Sequence, residues 1–222
     1  MRVMEKFQGV YKIRDRLGTR NLVPGRSVYG ETLKKIEGVE YRLWNPRRSK
    51  LAAALYKGLR TMPVKRDSRV LYLGAASGTT ASHLSDIAGE GLVYCVEFSP
   101  RVFLKLLYLC KERENMVPLL CDASRPESYA SLTEKCDVIY QDLAQPRQGE
   151  ILLANARYYL RGKGYVMLMV KARSIDVRKS PRKIYSREAG RLKNAGFKVL
   201  ELLELSPYER DHALILARKR SR

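Results

Sequence analysis

The stretch Val70–Thr80 constrains the fold more than any other part of the chain. Apolar residues lead into Gly74, small residues continue to Gly78, and a helical pattern follows Thr79 and Thr80, either of which suits the N-cap. The pattern predicts a buried parallel strand, a tight turn and a helix. Small side chains let a ligand approach the backbone, and the amides of a helix start face outward, so the turn suits ligand binding. A glycine-rich turn that binds nothing fits the same residues equally well.

The composition of this turn excludes two classes of ligand site. No lysine follows Gly78, and the two glycines are one residue too close for a phosphate-binding P-loop. The dinucleotide fingerprint G-x-G-x-x-G is missing as well. A nucleoside cofactor without a pyrophosphate fits better, and S-adenosylmethionine is the leading candidate.

The net charge of +20, from 43 Lys and Arg against 23 Asp and Glu, favours a polyanionic partner. RNA or DNA is favoured over a membrane, because no basic amphipathic helix stands out. A generally basic surface with many ion pairs is the alternative, although it does not explain the imbalance of signs. No apolar run matches a membrane span or the core of a signal peptide, so a cytoplasmic protein is expected. The cysteines form no C-x-x-C pair, and neither histidine lies near one, so no metal site is expected.

Residues 1–44 are predicted to form a small β-sheet domain. Short alternating or β-like runs occur at 10–13, 27–30 and 39–43, with turns expected at Gly18 and Pro24-Gly25. Residues 45–222 are assigned to a second, larger domain. It is predicted to open with a helix that Asn45 caps and that ends near Gly58.

Strands and helices alternate after Pro63, which predicts an α/β fold with helices on both faces of a parallel sheet. The strands are expected at 69–73, 92–96, 117–120, 138–140 and 165–170. Two further runs, 197–205 and 213–218, have no helix between them. They predict a closing antiparallel hairpin and hence a seven-stranded mixed sheet.

Successive strands of this sheet end on residues that suit a nucleoside. In open α/β sheets the ligand lies at the carboxyl ends of the strands. The second strand ends at Glu97-Phe98, where a carboxylate can accept both hydroxyls of a ribose and a ring can stack on a base. The third ends at Asp122-Ala123, and the fourth at Asp142. Each acid taken singly fits a solvated loop, but together they describe a nucleoside pocket.

A candidate chemical site adjoins this pocket. The fifth strand ends at Lys171, beside the strand that ends at Asp142, while Lys50 lies on the helix leading into the domain and His212 at the start of the last strand. The apolar run before Lys171 is expected to desolvate its amine and lower its pKa below about 10.4. Asp142 can hold Lys171, and two lysines can stabilise an alkoxide, which suits methylation of a ribose 2′-hydroxyl.

Other methyl-transfer chemistries fit these residues less well. An amine methyltransferase would need [ND]-P-P-[YF] where the chain has Asp142-Leu-Ala-Gln145, and a cytosine C5 enzyme would need a cysteine nucleophile, usually after proline.

The chain resembles the archaeal fibrillarins, the 2′-O-methyltransferases of box C/D ribonucleoproteins. The resemblance covers nearly the whole chain and rests on the segments Asn21–Gly25, Val28–Glu31, Glu40–Pro46, Arg48–Ala53, Tyr72–Thr80, Val96–Ser99, Asp142–Pro146 and Pro207–Ala213. It implies a class I methyltransferase (Rossmann-like) sheet after the small β domain, and S-adenosylmethionine as cofactor. The implied catalytic set is Lys50, Asp142, Lys171 and His212. The cofactor contacts expected with it are Gly74, Ala75, Gly78, Thr79, Thr80, Glu97, Phe98, Asp122, Ala123, Asp142 and Gln145.

The same resemblance implies action inside an assembly. A box C/D guide RNA would select the target nucleotide in rRNA or tRNA, a Nop-family coiled-coil scaffold would hold the enzyme, and a kink-turn-binding protein would anchor the RNA. The chain lacks the glycine/arginine-rich extension of nucleolar relatives, which indicates an archaeal cell. Arg47 stands where an aromatic residue is expected after Asn-Pro. By their charge, the basic residues expected to face RNA are Arg47, Arg48, Arg173, Arg178 and Lys179, although a solvated basic surface fits them about as well.

Two other functions remain open from the sequence. One is a non-catalytic RNA-binding subunit that keeps the fold, which the presence of all four candidate catalytic residues disfavours. The other is an unguided methyltransferase that acts on protein or free RNA.

Overall fold

The structure is a computed structural model that describes residues 3–220. Its first part is a five-stranded antiparallel sheet in the order β1-β2-β3-β5-β4. A small β-sheet is therefore found where it was predicted. The strands are β1 (Val3–Phe7), β2 (Val10–Ile13), β3 (Arg16–Arg20), β4 (Leu33–Ile36) and β5 (Val39–Leu43).

Two details of this small sheet differ from the prediction. Residues 27–30 form no strand, and Gly18 lies inside β3 instead of in a turn. A Cβ at Gly18 would lie only 2.6 Å from the carbonyl oxygen of Arg42 on β5. The glycine therefore allows close approach of two strands, which its usual preference for turns does not reveal.

The larger sheet has seven strands in the order β11-β12-β10-β9-β6-β7-β8. Six of them run in the same direction, and β12 is antiparallel to both of its neighbours, β10 and β11, so the predicted closing hairpin is confirmed. These strands are β6 (Arg69–Leu73), β7 (Leu92–Glu97), β8 (Met116–Leu120), β9 (Cys136–Gln141), β10 (Leu160–Lys171), β11 (Phe197–Glu204) and β12 (His212–Lys219).

Helices cover both faces of the large sheet. Neighbouring residues of β6 pack in different cores: Val70 and Tyr72 lie in one, and Leu71 and Leu73 lie in the other. Within residues 3–220 no helix is long and apolar enough to cross a membrane. The helices are α1 (Lys50–Tyr56), α2 (Thr79–Ile87), α3 (Pro100–Lys111), a 3-10 helix (Pro126–Leu132), α4 (Gln148–Tyr159), α5 (Ala172–Ile175) and α6 (Pro181–Asn194).

Helix α1 begins later than the sequence predicted. Its N-cap is Ser49, whose side chain accepts a hydrogen bond from the amide of Ala52. The side chain of Asn45 is engaged elsewhere, because its Oδ1 accepts from the amide of Arg47 at 2.9 Å in a local turn. Arg47 and Arg48 therefore precede the helix, and Lys50 is the one cation in its first turn, where a positive charge opposes the helix dipole.

A buried ionic network joins the small sheet to α2. The guanidinium of Arg42 on β5 is 2.6 Å from Glu31, 2.8 Å from Asp86 and 2.8 Å from Ser82 Oγ, and Arg113 reaches Asp86 at 2.7 Å. The side chains of Arg42, Glu31 and Asp86 have no exposed area. The turn between Gly74 and Gly78 leads directly into α2, so this network fixes the helix that follows the turn.

Candidate active site

Asp142, Lys50 and Lys171 meet at the carboxyl end of the large sheet. Asp142 follows β9, Lys171 ends the neighbouring β10, and Lys50 begins α1. Lys50 Nζ lies 3.1 Å from Asp142 Oδ2, and Lys171 Nζ lies 2.9 Å from Oδ1. The Lys171 ammonium also donates to the backbone carbonyl of Asp142 at 3.1 Å. Two ammonium groups thus share one carboxylate, which leaves the cluster with a net positive charge.

His212 adjoins this cluster because β12 pairs with β10, opposite Lys171. Its Nδ1 lies 2.7 Å from the carbonyl oxygen of Arg210. A carbonyl only accepts, so Nδ1 carries the proton and Nε2 of the neutral ring is a free base. Burial lowers the pKa of His212 from 6.5, and the charge of Lys50 adds to this effect. The imidazole is therefore neutral at pH 7.

A cavity of about 370 Å³ opens beside Asp142 and Lys171, at the carboxyl ends of β6, β7, β8 and β9. Phe98 stands at its edge and is 71% exposed. Seven of the residues predicted to contact a cofactor line this cavity: Gly74, Glu97, Phe98, Asp122, Ala123, Asp142 and Gln145.

The carboxylate of Glu97 is held in place by the glycine turn and by the start of α3. Its two oxygens accept from the amide of Ala76 at 2.9 Å and from that of Ser99 at 2.8 Å. Each oxygen keeps a second lone pair, so the group can still accept from a ligand. Asp122 is held in a similar way, through the amide of Ser124 at 2.8 Å.

The other predicted turn residues lie outside the cavity lining. Helix α2 is capped by Gly78, at φ +90°, with no side-chain hydrogen bond, so the predicted capping by Thr79 or Thr80 is wrong. A Cβ at Gly78 would lie 2.3 Å from a methyl of Leu109, so this glycine lets α3 pack on the turn. Thr80 is buried, and its hydroxyl is 2.9 Å from Ser49 Oγ at the start of α1. Ala75 is buried as well.

Sequence reasoning missed several residues of the cavity wall. Most of them lie next to a predicted strand end, and that position in the sequence could have identified them. Ile151 lies on α4, and no pattern in the sequence points to it. The missed lining residues are Ala76, Val96, Cys121, Ser124, Leu143, Ala144 and Ile151.

The basic residues predicted to face RNA differ in whether their charge is paired with a carboxylate. Arg47 is exposed and has no ion-pair partner among residues 3–220, and the guanidinium of Arg48 lies 5.9 Å from the ring centre of Tyr29. Both lie shortly before Lys50 in the chain, with Ser49 between Arg48 and Lys50.

Arg173, two residues after Lys171, donates to Asp211 at 2.9 Å. Arg178 and Lys179 share Asp176, at 3.7 and 3.4 Å. One carboxylate between two cations leaves a positive charge there as well.

Comparisons with known proteins agree with this geometry. The family model described as Fibrillarin matches residues 1–221. A fibrillarin-like rRNA/tRNA 2′-O-methyltransferase of Methanocaldococcus jannaschii is 47% identical over 221 residues, covering 97% of this chain and 96% of the relative. The crystal structure of Aeropyrum pernix fibrillarin with natively bound S-adenosyl-L-methionine matches with a TM-score of 0.90 and 49% identity, over 98% of both chains.

A third similar protein is known in an assembly. The structure described as a fibrillarin/Nop5p complex contains a chain that matches with a TM-score of 0.90 and 48% identity, over 98% of this chain and 100% of that one. By family model, identity and coverage, the chain belongs to the fibrillarin family.

Proposed function

We propose that the chain transfers a methyl group from S-adenosylmethionine to ribose 2′-hydroxyls of rRNA and tRNA, at nucleotides selected by a box C/D guide RNA. The observation that carries the proposal is the Lys50–Asp142–Lys171 cluster, which borders a cavity suited to a nucleoside. Relatives of 46–55% identity are rRNA/tRNA 2′-O-methyltransferases by description, and the Aeropyrum pernix protein binds this cofactor.

The residues of the cavity fit S-adenosylmethionine. The volume of about 370 Å³ lies within the usual range for small-molecule sites. The carboxylate of Glu97 is placed to accept the ribose hydroxyls and that of Asp122 the adenine amine, while Phe98 offers a ring face to the base. The bound cofactor supplies an electrophilic methyl carbon. Gly74, Ala123 and Gln145 complete the proposed contacts, and Ala75, Gly78, Thr79 and Thr80 support the turn.

The catalytic residues act on the ribose oxygen that attacks. Asp142 fixes both ammonium groups, which stabilise the negative charge that develops on O2′ as its proton leaves. Both oxygens of Asp142 lie against ammonium groups, whereas Nε2 of His212 has no hydrogen-bond partner within residues 3–220. His212 is therefore the group proposed to accept the proton. Holding the ribose against a fixed set of groups lowers the entropic part of the barrier.

The proposed assembly follows the resemblance of the whole chain. A relative forms a complex with Nop5p, which supports a Nop-family scaffold as partner. A guide RNA and a kink-turn-binding protein complete the proposed particle, which acts in the archaeal cytoplasm. Residues 1–44 and 45–222 are proposed as its two domains, with Arg47, Arg48, Arg173, Arg178 and Lys179 facing RNA.

The test is methyl transfer by the reconstituted particle with Lys171→Ala. Removal of one charge-stabilising group is expected to lower kcat by about 10²–10³-fold. Lys198→Ala, at an exposed lysine without an ion pair within residues 3–220, is the matched control and should leave the rate unchanged. A wild-type rate in Lys171→Ala would refute the catalytic assignment. Full activity of the isolated chain on RNA, without guide or scaffold, would refute guidance.

A further inference from the structure

Gln148 binds the backbone of Lys171 on both sides of its Cα. It is the first residue of α4 and has no exposed area. Its side-chain oxygen accepts from the amide of Lys171 at 3.1 Å, and its side-chain nitrogen donates to the carbonyl of Lys171 at 3.2 Å. Its own carbonyl accepts from Nε2 of the buried Gln141 at 2.7 Å. Two glutamines on neighbouring elements are thus fixed against each other and against the catalytic lysine.

These bonds fill a gap in the sheet. The pairing of β10 with β9 ends at Leu168 opposite Gln141, the last residue of β9. The next residue, Asp142, still donates its amide to the carbonyl of Leu73 on β6, the neighbour on the other side. Lys171 therefore has a strand neighbour on one side only, at His212. A primary amide offers the same donor and acceptor as a peptide group. The side chain of Gln148 makes the two hydrogen bonds with Lys171 that a further residue of β9 would otherwise make.

We infer that Gln148 is a positioning residue for methyl transfer, because it fixes the backbone from which the Lys171 ammonium is aimed. The inference rests on the proposed function. The ammonium of Lys171 has to reach both Oδ1 and the carbonyl of Asp142, at 2.9 and 3.1 Å. Such geometry tolerates little movement, since a displacement of about 1 Å costs on the order of 100-fold in rate. Gln148 itself does not line the cavity, and it bonds to the backbone of Lys171, not to its ammonium group.

The first test compares Gln148→Met with wild type in the reconstituted particle, well below the melting temperature of both. Methionine keeps the shape of the side chain and loses both hydrogen bonds. We expect kcat to fall by about 10–100-fold, with KM for the RNA and the cofactor affinity of the isolated chain unchanged. The matched control is Asn115→Leu, which removes amide bonds to the carbonyls of Ser85 and Ala88, away from the site. It should lower the melting temperature and keep kcat.

The pH profile of Gln148→Glu separates positioning from simple stability. A protonated glutamic acid can accept from the amide of Lys171 and donate to its carbonyl, whereas a carboxylate can only accept. The rate of this variant relative to wild type should therefore rise as the pH falls. A ratio that stays constant with pH would contradict the inference.

A second readout does not depend on activity. In the isolated chain, loss of the bond to Gln148 should speed amide hydrogen exchange at Lys171 about tenfold in Gln148→Met and leave it unchanged in Asn115→Leu. Unchanged amide exchange at Lys171 in Gln148→Met would overturn the role of Gln148 and leave the proposed function standing. A wild-type kcat in Gln148→Met, in a particle that Lys171→Ala inactivates, would do the same. An inactive wild-type particle would overturn the proposed function, and the exchange rate would still decide the role of Gln148.

Discussion

Replacement of Arg42 by methionine should destabilise the protein far more than loss of an ordinary surface arginine. The Arg42 side chain is wholly buried, and its substitution leaves the buried Glu31 without an ion-pair partner among residues 3–220. Breaking a buried pair in this way costs about 3–5 kcal/mol. The control is Arg66→Met, since Arg66 lies 2.8 Å from Glu90, the distance that also separates Arg42 from Asp86, but with both side chains at least 60% exposed. Its loss should cost less than about 1 kcal/mol.

The pH dependence of this loss follows from the pKa of Glu31. Burial acts to raise that pKa, but the charge of Arg42 and the amides of Tyr29 and Val28 outweigh it and hold the pKa below 4.5. The stabilisation is therefore present at neutral pH and lost as the pH falls through the folded-state pKa. Without Arg42 the pKa of Glu31 should rise, so that protonation relieves the buried charge. The gap in stability between variant and wild type should narrow on acidification.

Thermal unfolding followed by circular dichroism, at pH 7 and pH 5, measures both effects. For a chain of this size, about 3–5 kcal/mol corresponds to a fall in Tm of about 6–20 °C. A loss in Arg42→Met no greater than that in Arg66→Met would refute the reasoning, as would a gap that widens at pH 5.

Three further predictions concern the site. Gly74→Ala should weaken S-adenosylmethionine binding measured by calorimetry, because φ is +81° and the new Cβ would lie 2.7 Å from a leucine methyl, whereas Gly25→Ala, with the same φ and open space around it, should bind normally. The rate of methyl transfer should fall with an acid limb below pH 6.5, since the neutral form of His212 persists below the usual pKa of histidine, and His212→Gln should have a lower rate without that limb. A persisting limb in that variant would assign it to another group. Replacing Arg47 and Arg48 together by alanine should reduce the slope of log K for RNA against log salt by about one for each phosphate that these arginines neutralise, and an unchanged slope would place the RNA elsewhere.

The proximity of Asp142 and Lys171 was predictable from strand order and strand ends. Asp142 and Lys171 end neighbouring parallel strands, and the carboxyl ends of such strands share one edge of the sheet, so apolar periodicity was enough to bring them together. Lys50 lies on a helix outside the sheet, so strand order alone could not place it beside Asp142. It entered the predicted site as the lysine of the helix leading into the domain, and the family resemblance implied the same set.

What could not be predicted depends on contacts between distant segments. Gly78 resembles a ligand-binding glycine in sequence, but its neighbour is Leu109 on α3. Asn45 and Ser49 are both good caps, and the choice between them was made by the local bond from Asn45 to the Arg47 amide. Arg42 follows the alternation of a half-exposed strand, and nothing nearby in sequence shows that Asp86 will neutralise it in the interior.

The reversed direction of β12 has a practical consequence. The strand starts at His212, at the end of the sheet where Asp142 and Lys171 lie. It ends at Lys219, at the other end of the sheet, about 24 Å away at 3.4 Å per residue. A fluorophore or affinity handle attached at Lys219 would therefore lie far from Asp142 and Lys171. It would allow the protein to be immobilised without crowding that cluster.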